Sequence, residues 1–385
     1  MVTAVLRSVR HMGHRLAAML PRKAGGGCGI HFDAGSMQFV RMTRVAGSAQ
    51  LRVDAYGSAA LEDGMLRGPQ IVKPEAVARR LVEMLERSAM RIEDLQDDIV
   101  VLALPSHGLK TRVVDCPSGL PPRALRAWCE RRAALLLPGD GEPDLRSRVG
   151  VTWADPGSHR LRLYACEATL VDDRIAVMEM SGLRPHAIDA AHKAGRRAFL
   201  SARSEARERT PNAPTTDAPR TVTPAALLQI DAREIELAVF DGQRCVADVS
   251  ERFDGVDGHP EALASVIREL STKLPVVPQA IHLVVQEATP GELAAICEAV
   301  ASACGIAVYP FAPLDALDAF DASDATEATD AAEAFDNVDL FDVAARGRTA
   351  APAGSRYQPA AQGTTLAVPY GLALRAMSMQ GVSCE

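Results

Sequence analysis

Residues 27 to 42 read GCGIHFDAGSMQFVRM. A glycine-opened apolar strand, a small-residue turn with one acid and a returning strand that starts apolar make the outline of a phosphate-cradling β-hairpin. A working cradle keeps its turn bare, so that backbone N–H groups approach the phosphates, and sets a cation or a metal-linked acid beside them. Here the turn carries Asp33, followed by Gly35 and Ser36, and the flanking polar positions are His31 and Gln38. His31 reads as a half-buried strand residue, because no acid stands at a spacing that would make it a base. Asp33 and the later Asp231 read as turn caps. The GGGCG run at 25–29 lacks the Lys-Ser/Thr of a P-loop and reads as a hinge. Eight scattered cysteines form no CxxC pair and no zinc spacing. They imply small buried side chains in a reducing compartment, with no metal site and no catalytic set.

At 385 residues the chain is long enough for roughly two or three domains. Hydrophobic residues make up 48% but aromatics only 4%, so the core must rest on Val, Leu, Ile and Ala, as in buried strands with covering helices. A net charge of −7 gives no global field for nucleic acid. The first 26 residues form a basic tail in which Arg7, Arg10 and Arg15 interrupt the apolar positions, so neither a signal h-region nor a membrane span is expected. Val5, Leu6, Val9, Met12, Leu16, Met19 and Leu20 recur at helical spacing, the pattern of an amphipathic segment for an anionic membrane surface or a partner; a solvated tail is the other reading. The expected location is the cytoplasm.

The elements that must hold these residues follow from periodicity. Strands from residue 27 precede a helix over KPEAVARRLVEMLERSAM, whose Val77, Leu81, Met84 and Leu85 share one face. DDIVVLALP is a buried interior strand, LKTRVVDCP runs back, and PPRALRAWCERRAALLL is a helix whose Glu130, Arg131 and Arg132 form a solvated face. VGVTWAD and HRLRLYACEA are strands; LVDDRIAVMEMSG is a helix ended by Gly182, followed by a strand and another helix. The Pro- and Thr-rich 201–224 reads as a linker. AALLQIDAREIELAVFDGQRCVADVSERF then opens a second meander of three strands, and helices and strands alternate to residue 311. Two halves with one plan imply a duplicated ribonuclease-H-like unit. Acids recur at every third position from Asp315 through Asp318, Asp321, Asp324, Glu327, Asp330, Glu333, Asp336 and Asp339 to Asp342. That period spirals around a 3.6-residue helix and leaves no apolar stripe, so disorder is expected over 315–363. TTLAVPYGLALRAM reads as a closing helix packed back on the domain.

In order and spacing these pieces resemble the PilM family of type IV pilus assembly proteins, in the actin-like ATPase superfamily and related to FtsA. The resemblance covers about 27–314 and 364–377 and is most specific in VVLALPSHGLKTRVVDCPSGLP, LVDDRIAVMEMSGLRPHAIDA and GLALRAM. It implies an α/β fold of actin-like, duplicated ribonuclease-H-like domains with an inserted α+β subdomain. The implied divisions are 27–98 for the first part of domain 1, 99–190 for the insert and 191–200 for a return helix. The linker at 201–224, domain 2 at 225–314, the acidic loop and a C-terminal helix and tail at 364–385 complete the plan.

The family's first phosphate hairpin, G-[IV]-D-[IV]-G-S-S-S-[IV]-K, laid here without a gap puts His31 at the acid, Asp33 at the turn glycine and Gln38 at the lysine. In the second hairpin Asp231 is kept, while Ala232, Arg233 and Glu234 stand where the glycine turn would be. Val285, Gln286 and Glu287 occupy the glycine positions of the adenosine loop. The resemblance therefore implies a degenerate site with no bound cofactor, or weak Mg-ATP, because bulk and added carboxylate oppose phosphate. Its leading implication is a non-catalytic cytoplasmic scaffold, peripheral to the inner membrane, that docks the N-terminal tail of a PilN-type inner-membrane protein. Pilus motor or platform components are further implied partners. The tail would lie between the first subdomain and the insert, with Val100, Leu102, Leu104, Thr111 and Val113 as candidate walls. The alternative is an actin-like ATPase that retains nucleotide, with Arg41 or Arg233 as replacement cation. A membrane-bound, FtsA-like polymer is a third reading, disfavoured by the short polar QGVSCE end.

Overall fold

A computed structural model describes residues 25–33, 35–48, 50–137, 147–153, 159–208, 224–231, 234–252, 260–285, 290–313 and 366–381. The basic tail, the acidic triplets, most of the linker, Arg233, Gln286 and Glu287 lie outside them.

The first meander, β1 (Gly27–Phe32), β2 (Ser36–Arg44) and β3 (Leu51–Ala60), pairs antiparallel in sequence order. A minor hairpin, β4 (Leu66–Arg67) and β5 (Gln70–Ile71), leads into helix α1 (Pro74–Arg87). Pro74 fits the first turn, where no N–H is needed, and Val77, Ala78, Leu81, Met84 and Leu85 are buried. The apolar run β6 (Ile99–Leu104) then pairs parallel with β1. Later β10 (Ala187–Ala190) pairs parallel with β6, giving the order β10-β6-β1-β2-β3. Between them a separate sheet, β7-β9-β8, is built from β7 (Lys110–Asp115), β8 (Ser147–Trp153) and β9 (Arg160–Glu167) and covered by α2 (Pro122–Ala134). Helix α3 (Ala168–Met180) returns to the face of the first sheet that α1 covers. The independent sheet of the insert is thus narrower than 99–190: β6 and β10, at the ends of that range, are hydrogen-bonded into sheet one.

The second half repeats the plan. Strands β11 (Ala225–Asp231), β12 (Glu234–Asp241) and β13 (Arg244–Arg252) form an antiparallel meander. Helix α5 (Pro260–Thr272) leads to β14 (Ala280–Val285), and α6 (Pro290–Cys304) to β15 (Ala307–Pro310), both strands parallel. The order β13-β12-β11-β14-β15 matches that of the first sheet strand for strand.

Helices α4 (Ala191–Glu208) and α7 (Ala367–Gly381) lie between the two sheets. Helix α4 runs eight residues beyond the expected return helix, and its Phe199 packs on Phe240 and Phe311 of the second half, with ring centroids at 5.6 Å in both cases. Helix α7 approaches β1 and α4 closely enough to demand glycine. A Cβ on Gly29 would stand 2.1 Å from the Pro369 carbonyl oxygen, and one on Gly371 1.8 Å from that of Ala194. Buried Asp189 joins the layers, accepting from Arg375 and Arg197 at 3.0 Å each. Burial alone would raise its pKa, but the two guanidiniums hold it well below the usual carboxylate range.

Candidate functional site

Strand alternation decides what reaches the cleft. On β1, Cys28, Ile30 and Phe32 enter the core under α1 and α3, so Gly29 and His31 face the opposite side. On β11, Ala226, Leu228 and Ile230 enter the second core, so Gln229 and Asp231 face the α4–α7 layer. The carboxyl ends of the two central strands therefore present polar residues toward one another, the position where ligands meet α/β sheets.

His31 is 1% exposed rather than half-buried, and Gln38, its cross-strand neighbour, is 0% exposed. Gln38 Nε2 donates to Ser36 Oγ at 2.5 Å, the Asp33 amide donates to the Ser36 carbonyl at 2.8 Å, and His31 Nε2 lies 4.0 Å from Asp33 Oδ2. Burial pushes His31 down to about 4; Arg174 and His107 add to that shift and Asp231 opposes it. The imidazole is neutral at pH 7. The carbonyl of exposed Gly35 accepts from Leu61, so this turn is tied to the end of β3.

Asp231 reaches beyond its own turn. Its Oδ2 meets His107 Nδ1 at 3.2 Å, a contact between the loop after β6 and the second half of the molecule. One turn away, Ser106 Oγ and His192 Nδ1 are 3.2 Å apart, His192 lies 3.9 Å from Glu236, and Gln229 Nε2 donates to the His192 carbonyl at 3.1 Å. Arg196 bridges Glu236 and Asp248, the latter at 2.5 Å, and Arg162 of β9 reaches the same Asp248 at 3.0 Å. Burial pushes His192 down to about 3, with Arg196 second, and raises Glu234, with Asp231 second. Among the described residues a cavity of about 20 Å³ is lined by Ser106, Ala191, His192, Gln229, Ile230, Asp231, Glu234 and Glu236. That is room for about one water, inside a wall of carboxylates.

The cations near the cleft already have partners. Arg41, the nearer candidate to replace the lysine, is bound to Asp98 at 2.6 Å and Asp54 at 3.0 Å, opposite Cys28 and away from the turn. Arg174 of α3 is the buried cation at the cleft. It donates to the carbonyls of Ala103, Pro69 and Leu170, leaves Nη2 without a hydrogen-bond partner, and is pushed down to about 10 by burial. Val285 ends β14 and is 2% exposed in the second core, so its side chain fills packing space rather than an adenosine pocket. Among the described residues no His, Cys, Asp or Glu cluster could hold a metal ion.

The groove residues separate into two groups. Val100, Leu102 and Leu104 lie in β6, flanked by β1 and β10, and are at most 1% exposed, so they line no groove. Thr111 and Val113 lie on β7, which pairs only with β9 among the described residues; both are exposed, Val113 at 40%. Sequence reasoning missed Ser106, His107, Arg174, His192 and Glu236. Arg174 had a signal: it occupies the stripe of Leu170, Val171, Val177 and Met178, where an arginine must be buried.

Comparison with known proteins follows the same outline. The family described as Type IV pilus assembly protein PilM matches residues 29–259. A solved PilM-PilN type IV pilus biogenesis complex contains a chain 16% identical, with TM-score 0.63, covering 92% of this chain and 99% of that one. A protein of actin-like ATPase fold from Bacteroides thetaiotaomicron is 8% identical, with TM-score 0.45, covering 77% and 96%. The ethanolamine utilization protein EutJ from Carboxydothermus hydrogenoformans is 11% identical, with TM-score 0.42, covering 92% and 90%. No curated protein matches the sequence. Among the described residues no helix is long and apolar enough to cross a membrane.

Proposed function

The chain belongs to the family of type IV pilus assembly protein PilM, with the actin-like ATPase fold, and from this we propose that it works as a non-hydrolysing cytoplasmic scaffold docking the N-terminal tail of a PilN-type inner-membrane protein. The observation that carries the absence of hydrolysis is the interdomain cavity of about 20 Å³, walled by Asp231, Glu234 and Glu236. A triphosphate needs bare amides and compensating positive charge, whereas this chain sets carboxylates and a neutral His31 there, and its buried Arg174 is held by the carbonyls of Ala103, Pro69 and Leu170. Arg196 is already neutralised by Glu236 and Asp248. The cleft is instead closed by side chains: His107 to Asp231, and Arg196 and Arg162 to Asp248.

A scaffold needs a partner edge, and β7 offers one. An extended tail gains main-chain hydrogen bonds along a free strand, with side chains such as Thr111 and Val113 setting selectivity. The relative solved with PilN supports the choice of partner. Calorimetric titration tests both halves. Mg-ATP is expected to bind at least tenfold more weakly than to relatives with intact hairpins, since a lost charge-assisted contact is worth about 1.5–3 kcal/mol, while a PilN-type tail peptide binds. Micromolar Mg-ATP affinity with turnover overturns the reading.

A further inference from the structure

Away from the cleft, the outer side of the insert carries a row of exposed arginines. Helix α2 exposes Arg123, Arg126, Arg131 and Arg132 against a single acid, Glu130, which pairs with Arg126 at 3.1 Å. Its C-terminal end meets β7 at a depression of about 290 Å³ lined by Arg112, Val114, Asp115, Arg132 and Leu135. Leu135 is 54% exposed, and Arg132 lies over the Trp128 ring at 5.6 Å. The surface therefore offers guanidiniums beside apolar ground, with Asp115 as the one opposing charge among the described residues that line the depression. The chain carries a matching sequence. Between Pro313 and Leu366, residues 314–343 hold ten acids, no Lys or Arg, and interspersed Leu317, Phe320, Phe335, Val338, Leu340 and Phe341.

We propose that the arginine-rich face of α2 and β7 is a docking surface for the chain's own acidic–apolar segment 314–343. Charge complementarity selects this occupant: a chain of net charge −7 concentrates ten negative charges in the segment and a cluster of arginines on this face. Length permits it, since the 52 residues from Leu314 to Thr365 extend to roughly 170 Å at about 3.3 Å per residue. Tethering gives an effective concentration on the order of 1 mM, enough to compete about tenfold against an added copy whose Kd is ~0.1 mM. The contact is between exposed groups and must weaken as salt rises.

The test is a fluorescence-anisotropy titration of a labelled 314–343 peptide against full-length protein. Three forms are compared: wild type, a form with the ten acids replaced by their amides, and that form carrying Arg112→Ser, Arg131→Ser and Arg132→Ser. At 50 mM NaCl the amide form is expected to bind the peptide at least tenfold more tightly than wild type. That affinity should fall at least tenfold in 300 mM NaCl or with the serine substitutions. Lysine at the same three positions, which keeps the charge, should retain binding. Equal affinity for wild type and the amide form, no binding by either, or binding indifferent to the three arginines each overturns the proposal. So does co-sedimentation of wild type with phosphatidylglycerol vesicles that the three serine substitutions abolish, which would show the face open to lipid.

Discussion

His31 and His192 are two residues whose protonation folding opposes most strongly. Both are neutral in the folded cleft, held by burial down to about 4 and about 3, whereas in the unfolded chain they titrate near 6.5. Above that value neither state binds their protons and they contribute no pH dependence. Below it the unfolded state gains protons that the folded state refuses, so stability falls with pH. At pH 5 each residue should cost about 2 kcal/mol relative to pH 7, visible as a lower urea midpoint, and His31→Gln should flatten the profile. Asp189 acts in a lower window. Its folded-state pKa is depressed by Arg375 and Arg197, so its contribution is complete above the unfolded carboxylate value near 3.9 and is lost as pH falls below it. Asp189→Asn leaves two guanidiniums facing a neutral amide in a buried layer and should cost about 3–5 kcal/mol, read by denaturant melts at pH 7.

At the scale of elements, β6 and β7 differ in what a substitution does. Leu102→Ala, in a strand flanked on both sides, should cost about 2–5 kcal/mol of stability. Val113→Asp, on the edge strand, should leave the melting temperature unchanged and weaken a PilN-type tail peptide severalfold in calorimetry. Gly371→Ala should destabilise strongly, because its methyl group would collide with the Ala194 carbonyl that α4 fixes. Much of this architecture was legible. Apolar runs such as IVVLAL and LAVPYGLALRAM can only be interior, and the repeated meander declares the duplication. The end of α4 was not: Ser201 to Glu208 reads as polar linker, yet Phe199 commits the helix to the second half and its charged residues suit a continuing helix. The expected departure from the family's phosphate hairpin rests on His31, Asp33 and Gln38, because the motif of the resembled family fixes what ought to stand there. Their partners were not readable. His107 and Asp231 lie 124 residues apart, and only the folded topology brings them together.

The whole molecule is held by side chains that cross between its parts. Arg162 of the insert, Arg196 of α4 and Asp248 of the second sheet form one junction, in which Asp248 is held far below the usual carboxylate range: burial would raise it, and Arg196 and then Arg162 override that. Asp248→Ala removes the acid shared by Arg162 and Arg196, leaves Arg196 with Glu236, and should cost about 3–5 kcal/mol. Hydrogen exchange should locate the loss at β9 and β13 while α1 keeps its protection. The seam around α7 has a consequence in time rather than energy. Gln380 donates to the Gly26 carbonyl across 354 residues of sequence, and β1 is flattened to bare glycine where α7 lies on it. At about 5–20 residues per second of synthesis, strand β1 leaves the ribosome roughly 20–70 s before the helix that roofs it. During that interval the apolar α7-facing side of the first sheet stays uncovered on every nascent chain, making this protein a client for whatever shields unfinished polypeptides in the cell that makes it.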